Sequence, residues 1–180
     1  DDSWSVVSFR VSDGDDASFL NLNRAQRPRL LWVDYEELAK REAFHFAKTL
    51  TGVPLGNNAW QMLGAGLPDE DGMKIIPGVI DMNTATYALR KKLGDLIVYQ
   101  DGKGKSFAVK LVAMLENSLL QGSIVIAEKN FIAERADIAG YRYFLLDLKP
   151  GGEASTVKKL TRMLENRGLE WVPATRKLNE

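Results

Sequence analysis

The feature that most constrains the fold is a series of short apolar runs, each bounded by glycine, proline or polar residues. Runs of this length, in which apolar residues alternate with polar ones or follow one another directly, are typical of β-strands. Pro77 predicts an edge position for its strand, because proline has no N–H to donate to a neighbouring strand. The predicted strands cover residues 4–11, 30–33, 74–80, 96–99, 106–115, 122–127, 141–148 and 169–172.

Helical segments separate these strands. Asp34 is a typical N-cap residue, and the apolar spacing after it predicts a helix over residues 34–50. Asn83 is predicted to cap a second helix that runs to Leu93. The remaining predicted helices cover residues 59–63, 128–135 and 153–166. Strands and helices mixed in this order predict an α+β fold.

Charge and size bound the classes of function. The chain has 180 residues and is 45% hydrophobic, which is enough to bury a substantial core. Lysine plus arginine and aspartate plus glutamate both number 24, so the net charge is zero and a nucleic-acid partner is not expected. The densest basic stretch, Arg90, Lys91 and Lys92, is interpreted as the last turn of a helix, where cations suit the helix dipole.

No residue pattern points to catalysis. The sequence contains no cysteine, which excludes thiolate chemistry, disulfides and cysteine-bound metals. Its one histidine, His45, falls inside the predicted first helix between two phenylalanines, so a surface or partly buried position is favoured over a metal or catalytic role. Gly104-Lys105-Ser106 lacks the upstream glycine of a phosphate-binding loop and leads into a strand. We therefore predict neither an enzyme, a metal nor a cofactor.

Membrane segments and partner contacts are the remaining expectations from the sequence. No apolar stretch reaches the roughly 18–20 residues that cross a bilayer. The sequence begins at Asp1 without a methionine, and we interpret it as a segment of a longer protein. Trp60, in a glycine-rich connector, and Lys103, at the turn of a predicted hairpin, are the predicted partner contacts.

A run of local patterns resembles a known family. It consists of Ile-Pro-Gly-Val-Ile at 76–80, Leu-Gly-Asp at 93–95, Asn-Ser at 117–118 and Ala-Glu-Lys-Asn-Phe at 127–131. The segment 140–147 and, at the front, residues 9–11 and 15–22 extend it. In order and spacing the chain resembles the extracytoplasmic domain of FtsX-like and MacB-like ABC transporter permeases.

The resemblance implies two lobes. Residues 1–73 and 137–180 would form a porter-like α+β lobe built from both chain ends, and residues 74–136 an inserted, mainly β, sabre-like lobe. The family couples cytoplasmic ATP hydrolysis to movement outside the membrane. That implies a place on the extracytoplasmic side of a bacterial inner membrane. The ATPase subunit and transmembrane helices would lie outside this chain, and a lipoprotein, peptide or periplasmic protein would be the partner.

The residues by themselves leave a second hypothesis open. A stand-alone α+β module that binds a small molecule, or a hydrolase, has a similar composition. Such a protein requires a concave site where several polar groups converge. A deep pocket around His45 with several acids would favour that hypothesis.

Overall fold

A computed structural model describes residues 4–14, 27–56, 58–130, 140–148 and 153–164. Within these residues the fold is mixed α+β, with one large sheet. Its strands are β1 Trp4–Ser12, β2 Arg29–Val33, β3 Phe46–Thr49, β4 Lys74–Asp81, β5 Leu96–Gln100, β6 Ser106–Leu115, β7 Ser123–Ala127 and β8 Tyr143–Leu148. Its helices are α1 Tyr35–Lys40, a 3₁₀ helix Ala59–Gly64, a π-helical turn Thr84–Ala88, a 3₁₀ turn Glu128–Asn130 and α2 Glu153–Leu164.

The strands lie in the order β3-β6-β4-β7-β2-β1-β8, and β5 pairs with β6 next to β3. The pairs β2–β7 and β4–β6 are parallel, and the other pairs are antiparallel. The first half of β6 pairs with β5, and its last residues pair with β3. Strands from both predicted lobes therefore share one sheet, and the division into lobes stays a prediction.

The inner strands are buried on both faces, which explains their nearly continuous apolar sequences. Neighbouring residues of a strand point to opposite faces, so Leu31 and Val33 of β2 join one core cluster and Leu30 and Trp32 the other. Helix α1 and the 3₁₀ helix cover the first cluster. The second cluster contains the stacked rings of Tyr99 and Phe107, whose centroids lie 5.7 Å apart.

The predicted edge position of the strand that carries Pro77 is wrong. β4 lies between β6 and β7, inside the sheet. Its pairing with β7 covers Gly78 to Ile80 and begins just after the proline, so the missing N–H falls outside that ladder. At Gly78 a side chain would collide with Val109 and Ile124, so the close packing on this central strand requires glycine.

The predicted helix over residues 34–50 is confirmed only at its beginning. Asp34 caps α1 by accepting the N–H of Glu36 at 3.1 Å, but the helix ends at Lys40. Glu42 and Phe44 then have positive φ angles of 48° and 68°, which no helix allows. The chain continues as β3, because pairing with β6 satisfies its backbone. His45 is exposed just before β3 and lies in no helix.

Trp60 lies in the core, and the surface role predicted for it is wrong. Its side chain is 1% exposed, and its Nε1–H donates to the Ala43 carbonyl at 2.7 Å. The rings of Phe44 and Phe46 pack edge-on against the indole, with centroids at 6.1 and 5.1 Å. The indole thus holds the strained Phe44 segment against the 3₁₀ helix.

Several other predictions are confirmed. The β5–β6 hairpin turns at Asp101–Lys105, the short helix after residue 58 is present, and α2 covers most of its predicted range. The predicted strand over residues 169–172 and the predicted helix beyond Asn130 lie outside the described residues.

We expect Trp60→Ala to lower the free energy of unfolding by about 3 to 5 kcal/mol, because it removes a fully buried ring and leaves a cavity. Urea unfolding of the purified chain measures the loss. Tyr87→Ala is the matched control, since Tyr87 is 79% exposed and its loss should cost about 0.5 kcal/mol or less. Equal effects of the two substitutions would show that Trp60 is not a core residue.

Candidate functional site

The carboxylate of Asp81, at the end of β4, accepts three hydrogen bonds from backbone N–H groups. The residue is fully buried, at 0% exposure. Its Oδ1 accepts the N–H groups of Asn83 at 2.9 Å and Thr84 at 3.3 Å, and its Oδ2 accepts the N–H of Ser118 at 2.9 Å. A buried carboxylate is tolerated only with partners of this kind, since desolvation is costly. Asp81 therefore joins the π-helical turn to the loop before β7.

Two hydroxyl groups extend this network, and we name Asp81, Thr84 and Ser118 the Asp81 cluster. The Thr84 hydroxyl accepts the N–H of Gly122 at 3.0 Å, and the Ser118 hydroxyl accepts the N–H of Leu120 at 3.0 Å. All acceptors of the cluster thus face backbone donors. The arrangement fixes local structure and presents no acid–base pair to a ligand.

Sequence reasoning missed Asp81. It predicted Asn83 as the cap, but the Asn83 side chain makes no capping bond. Aspartate directly after an apolar strand is itself an N-cap signal, and Asn83, two positions later, obscured it.

The helix predicted over residues 83–93 is also wrong beyond Ala88. The turn is π-helical, with the N–H of Leu89 donating to the Thr84 carbonyl at 3.1 Å. Arg90 then takes a left-handed φ of 53°, and the N–H of Lys91 donates to the Ala85 carbonyl at 2.8 Å. Hence Arg90, Lys91 and Lys92 follow the helix and do not occupy its last turn.

A groove of about 270 Å³ lies at the carboxyl ends of the parallel strands β2 and β7. Asp34 and Glu128 come directly after the last paired residues, Val33 and Ala127, and so stand side by side at this end of the sheet. Such crevices are the usual ligand sites of parallel sheets. The groove is lined by Val6, Val7, Ser8, Val33, Asp34, Glu37, Glu128 and Tyr141.

The acids of the groove already have partners. Glu128 accepts Nε–H of Arg10 at 2.6 Å and the Tyr141 hydroxyl at 3.0 Å. The guanidinium also lies 4.6 Å from the centre of the Tyr141 ring. This hydrogen bond to Glu128 raises the pKa of Arg10.

Glu37, on the α1 side of the groove, is paired in the same way. Its carboxylate contacts Lys40 at 3.1 Å and Arg41 at 3.4 Å. The hydrogen bond from Lys40, with that cation's charge, lowers the pKa of Glu37. These pairings occupy the acids of the groove, and its volume lies slightly below the roughly 300 to 1,000 Å³ of most ligand pockets.

The two contact residues predicted from sequence do not form one site. Trp60 is buried in the 3₁₀ helix, whereas Lys103 lies at the exposed tip of the β5–β6 hairpin. The tip is ordered by Asp101, whose Oδ1 accepts the N–H groups of Lys103 at 2.8 Å and Lys105 at 2.7 Å. Lys103 as a partner contact stays a prediction.

No protein-family model and no curated protein matches the chain. Among the described residues, no group of three or more acidic or histidine side chains is placed to hold a metal ion. In the same part of the chain, no helix has the length and apolar character to cross a membrane.

We expect Asp81→Asn to lower the free energy of unfolding by about 2 to 4 kcal/mol. The carboxylate uses both oxygens, so an amide must turn its NH₂ group towards at least one buried backbone N–H. Asp101→Asn is the matched control. Asp101 accepts both of its bonds on one oxygen, which asparagine retains, and it lies in an exposed turn. Urea unfolding of both variants is the measurement, and an equally small loss would contradict the assigned role.

Proposed function

We propose that this chain is the extracytoplasmic domain of an ABC transporter permease of the FtsX-like and MacB-like type. In this role it binds cargo or a partner outside a bacterial inner membrane and passes on movement driven by ATP hydrolysis elsewhere. The observation that carries the proposal is the hydrogen bonding of polar side chains in the segment that resembles the family. Its conspicuous polar residues, Thr84 and Ser118, bond to backbone groups within the segment instead of converging on the groove.

A domain that transmits movement has to be stiff, and the arrangement of β4 and β6 supports this. The two strands pair in parallel from Lys74 to Asp81, and both are buried on both faces. The Asp81 cluster then fixes the loop that leads to β7. Close-packed interiors of this kind resist compression and transmit strain.

The two-lobe division is part of the proposal. Residues 1–73 with 137–180 would form the porter-like lobe, and residues 74–136 the sabre-like insertion. Two seams join these parts, since β2 pairs with β7 and β3 pairs with β6. Sliding one part past the other would break these ladders. We therefore propose that the described sheet moves as one body relative to the membrane.

The proposed partners follow from the same role. The ATPase subunit and the transmembrane helices lie outside this chain, and the cargo is a lipoprotein, a peptide or a periplasmic protein. The exposed hairpin tip at Lys103 is the proposed contact for such a partner, because Asp101 holds it in one conformation. Ordered surface loops lose less conformational freedom when they bind.

Cysteine labelling in cells tests the location. The chain has no cysteine, so Lys103→Cys in the full-length parent protein adds a single exposed thiol to this domain. We expect a maleimide that does not cross the inner membrane to label this thiol in intact cells with a permeabilised outer membrane. Labelling only after lysis would place the domain in the cytoplasm and contradict the proposal.

Two control variants make the labelling interpretable. The parent protein without the new cysteine reports labelling elsewhere in the sequence. Ala85→Cys places the thiol at a position with 0% exposure, so it should react only after denaturation. Equal labelling of both introduced thiols would indicate an unfolded domain.

The groove supports one other candidate function, the binding of a small molecule. It lies at the end of two parallel strands, where Asp34 and Glu128 stand together. A ligand would stabilise the folded chain in proportion to its concentration. The permease proposal predicts that small amines and other cations produce no saturable rise in melting temperature. A saturable rise that Glu128→Gln abolishes would favour the binding module.

A further inference from the structure

The π-helical turn carries an exposed aromatic residue and is followed by three consecutive cations. Tyr87 is 79% exposed, the highest value among the exposed large hydrophobic side chains of the described residues. Arg90, Lys91 and Lys92 follow it closely in sequence. Because the N–H of Lys91 bonds to the Ala85 carbonyl, the cations fold back onto the turn that carries Tyr87.

The segment has a fixed inner and outer side. Leu89 and Leu93 pack against the core cluster of Ile76, Ile80 and Ala85. Arg90 and Lys92 lie between these leucines in sequence and are exposed, whereas Lys91 is half-buried. The leucines thus anchor the segment and turn the two cations outward.

The charge of this segment is not neutralised locally. Among the described residues no ion pair is found for Arg90, Lys91 or Lys92. Asp95 is the nearest acid in sequence, and its Oδ2 accepts the backbone N–H of Lys92 at 3.0 Å. Three cations and one carboxylate leave residues 87–95 with a net charge of +2, in a chain whose total is zero.

We propose that Tyr87, Arg90 and Lys92 form a surface that docks on an anionic phospholipid bilayer. Clusters of lysine and arginine are attracted to anionic headgroups, and tyrosine side chains favour the interface between headgroups and acyl chains. The net charge of +2 in residues 87–95 complements the anionic headgroups of such a bilayer. This proposal rests on the proposed function, in which the domain is attached to a membrane.

The expected strength of bilayer binding suits a domain that is already attached to the membrane. One cation near an anionic surface strengthens binding about fivefold, so the pair Arg90 and Lys92 contributes about 25-fold. A 25-fold contribution gives only weak bilayer binding to a freely diffusing domain. It becomes effective when flanking segments hold the domain close to the bilayer, because tethering raises the local concentration. The contact would set the orientation of the domain on the membrane.

Vesicle sedimentation of the purified chain tests the proposal. At low ionic strength we expect binding to vesicles of phosphatidylglycerol and phosphatidylethanolamine, and much weaker binding to phosphatidylcholine vesicles. Arg90→Asn with Lys92→Gln should weaken binding about 25-fold and reduce its salt dependence. Asparagine is chosen at position 90 because it accepts the left-handed φ. Tyr87→Ser should weaken binding without changing the salt dependence.

Lys158→Gln with Lys159→Gln is the matched control, since it removes the same charge from another exposed site, on α2. It should leave vesicle binding within about twofold, because those cations lie outside the proposed surface. Unfolding midpoints of all variants show whether each one is folded. If both double variants weaken binding equally, general electrostatic attraction is responsible and the proposal is overturned.

Two further outcomes would also overturn the proposal. The first is that the wild-type chain binds neither kind of vesicle. The second is that it binds soluble polyglutamate as tightly as anionic vesicles, with no effect of Tyr87→Ser. The second result would indicate an acidic protein partner. Neither result bears on the side of the membrane, which the cysteine labelling reports independently.

Discussion

The buried carboxylate of Asp81 is the interaction on which the middle of this structure depends. Its position at the end of β4 requires backbone donors, and the chain supplies them from Asn83, Thr84 and Ser118. These bonds determine where the π-helical turn begins and where the loop before β7 lies. β7 in turn pairs with β4 on one side and β2 on the other. One satisfied charge thus helps to connect the two ends of the sheet.

The strands of this sheet could be predicted from the sequence because their apolar runs are short and clearly bounded. The hairpin at Asp101–Lys105 was predictable for the same reason. The order of the strands was not, because pairing between distant segments leaves no local signal. Pro77 illustrates the limit: its missing N–H excludes one ladder position, and β4 remains central because its pairing with β7 begins at the next residue.

The first helix shows how tertiary contacts override a local pattern. Residues 41–50 have helical apolar spacing, but Phe44 and Phe46 pack on the buried ring of Trp60, and β3 pairs with β6. The burial of Trp60 was not predicted for a related reason, because its glycine-rich surroundings indicate an exposed loop. The glycines allow the chain to turn, and the indole fills the space beneath. Of the residues at the candidate sites, Asp34 as the cap of α1 and the exposed position of Lys103 could be predicted.

Local clusters of positive charge determine where this chain can make electrostatic contacts. A chain with zero net charge has no general attraction to membranes or nucleic acids, so any electrostatic contact has to come from local clusters. Arg90 and Lys92 form such a cluster because the helix ends before them, and Leu89 and Leu93 fix their direction. Asp81 holds the start of the π-helical turn, and the left-handed φ of Arg90 lies just beyond its end. The bonds of Asp81 thus position the turn, and the packing of Leu89 and Leu93 positions the cations that follow it, so both contribute to which side of the domain carries an outward-facing charge.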